Sequence, residues 1–241
     1  MTKPFTEWTV LPHERPTLLD ENLLCVTGML RMPPMGEVDR HMTVVRLADD
    51  RLVVYSAIAL DEAEMDTLER FGTPTYLIVP SELHRMDAKV WKDRYPNLIV
   101  VAPQGARAEV EEIVPVDLTS VKFEDPRVQF VEVSGTGARE AALVVETARG
   151  VTLVVNDIIF NLANRPGMSG WLFEKLGMTG EEPHIPPVIR LRTVRDKKAL
   201  RTQLERWSRL PNLQRVVVSH GRIIADDPAG VLQRIADDLA A

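Results

Sequence analysis

Three apolar runs, far apart in the chain, each end in a short polar cluster that holds a histidine or an aspartate. Tyr76-Leu77-Ile78-Val79 runs into Pro80-Ser81-Glu82-Leu83-His84-Arg85-Met86-Asp87, Leu153-Val154-Val155 into Asn156-Asp157, and Val216-Val217-Val218 into Ser219-His220-Gly221. A short apolar run bounded by turn residues reads as a buried strand. In layered α/β proteins the carboxyl ends of such strands face one edge, where ligands and metals are bound. The pattern predicts a sheet protein with His84, Asp87, Asp157 and His220 gathered at one edge.

The rest of the sequence supplies the layers. Met42 to Leu47 and Leu52 to Ile58 flank Ala48-Asp49-Asp50-Arg51 and predict a β-hairpin. A helix follows from Asp61, with Met65, Leu68 and Phe71 on one face and Gly72 as its terminator. Further helices are expected over Asp87 to Arg94 and Ala106 to Glu112, with a strand from Leu98 to Val101 between them. The polar, proline-interrupted stretch Leu118 to Arg127 reads as a link between two halves. Beyond it come a strand from Val128 to Val133, a hairpin from Ala141 to Val155 turning at Ala148-Arg149-Gly150, and helices over Met168 to Leu176 and Val194 to Leu210. A strand from Arg215 to Val218 and a helix opened by Asp227-Pro228, with Val231, Leu232, Ile235 and Leu239 on one face, close the chain. Met32-Pro33-Pro34-Met35-Gly36 reads as a loop. Pro4, Pro12 and Pro16 predict an irregular arm over 1–22.

Both halves run hairpin, helix, strand and helix in the same broad order. Two sheets packed face to face and covered outside by helices bury these runs economically, which gives a four-layer αββα sandwich. With 241 residues the chain is long enough to bury a substantial core, and a single domain over 1–241 is expected.

Composition removes several classes of function. With 29 Lys+Arg against 35 Asp+Glu the formal net charge is -6, which argues against binding nucleic acid over the whole surface. The basic stretch containing Arg190, Arg192, Arg195, Lys197, Lys198, Arg201, Arg206 and Arg209 reads instead as the solvated face of a core helix. Leu200, Leu204 and Trp207 recur there at helical spacing. Cys25, the single cysteine, excludes an internal disulfide and a cysteine-rich zinc site and reads as a small buried hydrophobe. The N-terminal residues lack the apolar core of a signal peptide, and no run is long enough to span a bilayer. A cytoplasmic protein with a small-molecule ligand and neither nucleic acid nor membrane as partner is expected, with a homo-oligomer left open.

Arg40-His41-Met42-Thr43-Val44-Val45-Arg46-Leu47, Val79-Pro80 through His84 with Trp91 and Tyr95-Pro96, Asn156-Asp157-Ile158-Ile159-Phe160 and Ser219-His220-Gly221 together resemble the metallo-β-lactamase-like fold. The resemblance is to a branch that lacks most of the His-x-His-x-Asp-His metal signature. Aligning His84 with the second histidine of that signature puts Glu82, Met86 and Asp87 at the first histidine, the aspartate and the last histidine. The later family histidine falls near Ser134-Gly135-Thr136-Gly137, where this chain has none, while Asp157 and His220 match the bridging aspartate and the final histidine.

The resemblance implies a reduced site with His84, Asp157 and His220 as metal ligands, Glu82 and Asp87 as further oxygen donors, and Asp87 as ligand or catalytic base. A mixed N/O set of this kind suits one zinc, manganese or iron ion without favouring any of them, and a metal hydrolase needs an open position for water. The alternative is that the histidines are polar strand-end residues, with Asp157 accepting backbone hydrogen bonds, on a non-catalytic module that binds a small molecule or a protein. His41 reads as an ordinary strand-end histidine before a pocket-facing one, His184 as a solvated loop histidine before a lid residue, and Met168-Ser169-Gly170-Trp171-Leu172-Phe173 as core before a mobile flap or a dimer contact. There is no phosphate loop and no Gly-x-Ser-x-Gly elbow.

Overall fold

The computed structural model describes residues 3–32 and 36–240. One sheet holds β1 (Thr17–Asp20), β2 (Leu23–Met32), β3 (Gly36–Arg46), β4 (Arg51–Tyr55), β5 (Thr73–Ile78) and β6 (Ile99–Val101), in that spatial order. The second runs β10 (Leu213–Val217), β9 (Gly150–Val154), β8 (Ala141–Thr147) and β7 (Val128–Glu132). Two of these pairings decide where a site can form. The parallel pairs β4–β5 and β9–β10 send strand ends of both sheets to the same edge.

The period-2 alternation of the strands sorts their side chains into three layers. Leu52 and Val54 of β4 face an outer core, whereas Val53 and Tyr55 face the second sheet. Leu143 and Val145 of β8 answer them across the interface, and Ala142 and Val144 face the opposite outer core. The first outer layer is α1 (Glu62–Phe71), α2 (Ala88–Arg94) and α3 (Arg107–Glu111), which contribute Met65, Leu68, Val90, Trp91 and Val110. The other outer layer is built by α6 (Lys197–Ser208) and α7 (Pro228–Asp238), through Leu200, Leu204, Trp207, Leu232 and Ile235. The architecture is the αββα sandwich that the pattern predicts.

The terminators behave as their chemistry dictates. Asp61 accepts a hydrogen bond from the Glu64 N–H at the start of α1, and the Gly72 N–H closes the helix on Leu68 O. Asp227 caps α7 (Pro228–Asp238) through the Gly230 N–H, with Pro228 in the first turn, where a missing N–H costs nothing.

Three expectations need adjustment. Part of the arm expected over 1–22 is ordered strand: Thr17–Asp20 pairs antiparallel with β2, because Thr17 and Leu18 find partners in Cys25 and Leu24. The helix expected over Val194 to Leu210 is α6 (Lys197–Ser208), capped by Asp196, and α5 (Pro187–Thr193) precedes it. In α4 (Gly167–Lys175) Phe173 is buried, but Met168 and Trp171 are 85% and 56% exposed, so that segment is only half core. Of the loop expected over Met32 to Gly36, residues 33–35 lie outside the described residues.

Candidate metal centre

Asn156, fully buried after β9, holds the three strand-end clusters together. Its amide N–H groups donate to Ser81 Oγ (3.0 Å) and Glu140 Oε2 (3.0 Å), and its Oδ1 accepts from Ser219 Oγ (2.8 Å). One side chain thus ties the loops after β5, β9 and β10. Burial, and then the nearby Asp157 charge, push Glu140 well above the ordinary carboxyl range, which suits a protonated side chain in this closed network.

Above this network His84, Asp157 and His220 converge. Each offers one ligand atom, and the three atoms lie within 4.8 Å of one another. His84 Nε2 is 3.1 Å and His220 Nε2 is 3.2 Å from the same atom, Asp157 Oδ1. Burial alone would raise Asp157, but the charges and hydrogen bonds of the two imidazoles outweigh it and hold the carboxylate well below its usual range. His220 mirrors this: burial lowers it, and Asp157 with the Asp39 carbonyl raises it further.

The far side of each ring decides what the near side can be. His220 Nδ1 lies 2.8 Å from the Asp39 carbonyl oxygen, which only accepts, so Nδ1 carries a proton. A neutral His220 therefore points the lone pair of Nε2 at a carboxylate oxygen, and that contact is repulsive unless a cation is shared between them. His84 Nδ1 faces the Ser56 hydroxyl at 2.8 Å, which can accept its proton and give the second ring the same orientation. A proton or a metal ion answers the demand. An imidazole whose second nitrogen is held by a carbonyl or hydroxyl is the usual arrangement of a metal-ligating histidine. These residues therefore fit a divalent ion.

The other sequence candidates have partners of their own. Glu82, expected as an oxygen donor, is turned to Arg139 (3.1 Å) and Arg192 (3.2 Å). Asp87 is buried, with Oδ2 against Arg40 Nη1 at 2.5 Å and Oδ1 accepting from the Ala59 N–H at 3.0 Å. Each oxygen accepts one of these hydrogen bonds, and Asp87 lies in the wall of the adjoining cavity. Met86 lines the adjoining cavity, and Thr136 is buried with its hydroxyl on Val133 O at 2.7 Å. His41 donates from Nδ1 to Val218 O (2.7 Å), and its N–H reaches Ser219 O (2.9 Å), so it fastens β3 to the end of β10. His184 sits between the carbonyls of Glu182 and Gly177.

A cavity of about 190 Å³ opens over the three converging residues. Val38, Leu83, Phe160, Phe173 and Ile189 form its apolar walls, and Arg40, Ser56 and Asp87 join the three residues as polar lining. Phe160 packs on the His220 ring with centroids 4.8 Å apart. Sequence reasoning missed Ser56, Glu140 and the Asp39 carbonyl. Ser56 had the clearest signal, as a serine closing the apolar strand Leu52-Val53-Val54-Tyr55, and it adopts a positive φ of 57°, uncommon for a non-glycine residue.

No protein-family model matches the sequence, and no curated protein matches it either. Solved structures do. The DIM-1 metallo-β-lactamase exposed to ceftazidime aligns with a TM-score of 0.65 at 15% identity, covering 97% of this chain and 100% of that one. The FIM-1 metallo-β-lactamase from Pseudomonas aeruginosa, in its mono-zinc form, aligns at 0.62 and 12% identity, covering 95% and 96%. A metallo-β-lactamase from Hirschia baltica aligns at 0.62 and 14%, covering 93% and 98%. Identities this low speak to architecture alone, and over nearly its whole length the chain has the metallo-β-lactamase-like fold.

Proposed function

We propose that this protein is a metal-dependent hydrolase that holds one divalent ion on His84, Asp157 and His220. The observation that carries the proposal is the pair of imidazole Nε2 atoms at 3.1 and 3.2 Å from one oxygen of a buried carboxylate, with the His220 proton fixed on the opposite nitrogen. When bound there, zinc, manganese or iron supplies Lewis acidity, lowering the pKa of a water and polarising a carbonyl or phosphoryl oxygen.

The chain's own residues supply the rest. The Asp39 carbonyl and the Ser56 hydroxyl hold the ring planes, and Asp157 stays ionised to offset cationic charge. Phe160, Phe173 and Ile189 keep water from the ligand's apolar part, which strengthens electrostatic contacts at the floor. In this reading Asp87 positions Arg40 and takes no proton.

The predominantly apolar cavity favours a second reading, a non-catalytic module that binds a small molecule without turnover. Metal content separates the two. Protein purified without chelators and measured by elemental mass spectrometry should carry close to one ion per chain, and Asp157→Ala should carry none. A screen of esters, lactones, thioesters and phosphodiesters should then give activity that chelation removes and added metal restores. Wild-type protein that stays empty after incubation with zinc, manganese and iron ends the hydrolase reading and leaves the binding module.

A further inference from the structure

We propose that the ligand is an aliphatic carbonyl compound whose unbranched arm of roughly six carbons fills the cavity, and that Phe173 sets this length. The inference rests on the metal-hydrolase reading for the fate of the carbonyl head, an ester in that reading, though not for the seating of the arm.

Val38, Leu83, Phe160, Phe173 and Ile189 carry no hydrogen-bonding group in their side chains, so the ligand surface they cover is hydrocarbon. A polar substituent there would lose its water without gaining a partner. In the polar part of the lining Arg40 and Asp87 neutralise each other at 2.5 Å, which gives the cavity no reason to select a charged arm. Size follows from volume. An apolar cavity of about 150 Å³ holds one benzene, so about 190 Å³ suits roughly six carbons.

A second, much smaller void of about 10 Å³ adjoins the first, and Val38 and Phe173 line both. Phe173 packs in one apolar cluster with Phe160 and Ile189, which wall the first cavity, and with Leu162, which lines the second. Its ring is the larger part of the wall that the two spaces share. At about 10 Å³ the second void is at the lower limit for a single water, so it adds nothing to the ligand's room while the ring is in place. Removing the ring joins the two. Phe173 belongs to neither outer core nor to the layer between the sheets, so the main layers of the fold do not depend on it.

Isothermal titration of the full-length protein as purified tests this with butanamide, hexanamide and octanamide, which share a neutral carbonyl head and differ only in the arm. Each buried methylene is worth about fourfold in affinity, so hexanamide should bind about tenfold more tightly than butanamide, while octanamide gains no more than about twofold over hexanamide. Phe173→Ala should restore the missing gain, with octanamide about tenfold tighter than hexanamide and metal content unchanged. Phe173→Trp should work in the other direction and weaken hexanamide about fourfold or more while sparing butanamide. Affinity that climbs in even steps from butanamide to octanamide in the wild type, or binding of none of the three, overturns the proposal. An unchanged length limit in Phe173→Ala overturns the role of Phe173. Should that variant fail to fold, Phe173→Leu decides in its place, since it keeps an apolar side chain and should still favour octanamide over hexanamide by about fourfold. Length selection in a protein that never takes up metal would sink the hydrolase reading and keep this one. Metal-dependent ester cleavage with no preferred arm length would do the reverse.

Discussion

Glu82 and Asp157 are both buried carboxylates just past the end of a strand, and they meet opposite surroundings. Glu82 is closed by two guanidinium groups, Arg139 at 3.1 Å and Arg192 at 3.2 Å. Asp157 is met by two imidazole nitrogens, each oriented from behind by an oxygen. At Glu82 the chain supplies its own permanent cations, so the carboxylate has no use for another. Imidazoles are cationic only while protonated, so the Asp157 cluster can trade its shared proton for a metal ion. The family resemblance puts an oxygen donor at both positions, but the physics separates them into a closed ion-pair network and a candidate cation site.

The largest expected effect breaks the open cluster. Asp157→Ala removes the oxygen on which both imidazoles converge, and metal content should fall from near one per chain to background. Retention of stoichiometric metal in that variant would mean that the ion sits elsewhere. Next in size is Ser56→Ala, which keeps the ligands but frees the His84 ring. Loss of such an orienting partner costs roughly 10- to 100-fold in metal affinity, measurable by competition with a chromophoric chelator. An unchanged affinity would show that packing alone holds the ring.

These two substitutions also mark what the sequence could and could not disclose. His84, Asp157 and His220 were legible because each follows a local signal, an apolar run that stops, and because parallel strands bring such stops to one edge. Ser56, Arg40 and the Asp39 carbonyl arrive from β3 and β4, whose reach to the same edge depends on register that no local pattern encodes. The partners of Asp87 and Glu82 were hidden for the same reason. Arg40 and Asp87 are 47 residues apart, and Arg192 and Glu82 are 110 apart. The fold was more legible than the site: alternation such as Leu52-Val53-Val54-Tyr55 assigns a whole strand to its two layers. The misplaced outer face of α4 shows the limit of that logic, since an apolar helix run does not say how many of its sides meet protein.

The closed network sharpens the comparison from the other side. Glu82→Gln should leave metal content and affinity unchanged and lower stability by about 1–2 kcal/mol. The value sits below that for a fully buried pair because Arg139 and Arg192 are partly exposed and can return to water. The midpoint of urea unfolding measures the loss. Metal loss in Glu82→Gln would overturn the division between the clusters and make Glu82 a ligand.

Asp125, in the segment linking the two sheets, gives the smallest effect and one with a defined pH window. It is buried and accepts from the Ala48 N–H (2.9 Å), the Arg127 N–H (3.0 Å) and the Arg127 guanidinium at 3.0 and 2.7 Å. The Arg127 hydrogen bonds outweigh burial and hold its pKa below the ordinary aspartate value. A carboxyl whose folded pKa is depressed contributes stability that is present above its unfolded pKa, about 3.9, and lost as pH falls through the lower folded value. Asp125→Asn should therefore cost about 1 kcal/mol at pH 7, the scale of one charge-assisted hydrogen bond. The gap to wild type should close as unfolding is repeated at successively lower pH below about 4. A gap that stays constant down to pH 3 would mean that Asp125 acts through shape alone. Such a result would remove it from the carboxylates whose charge the chain neutralises for itself, leaving Glu82 as the example against which Asp157 is judged.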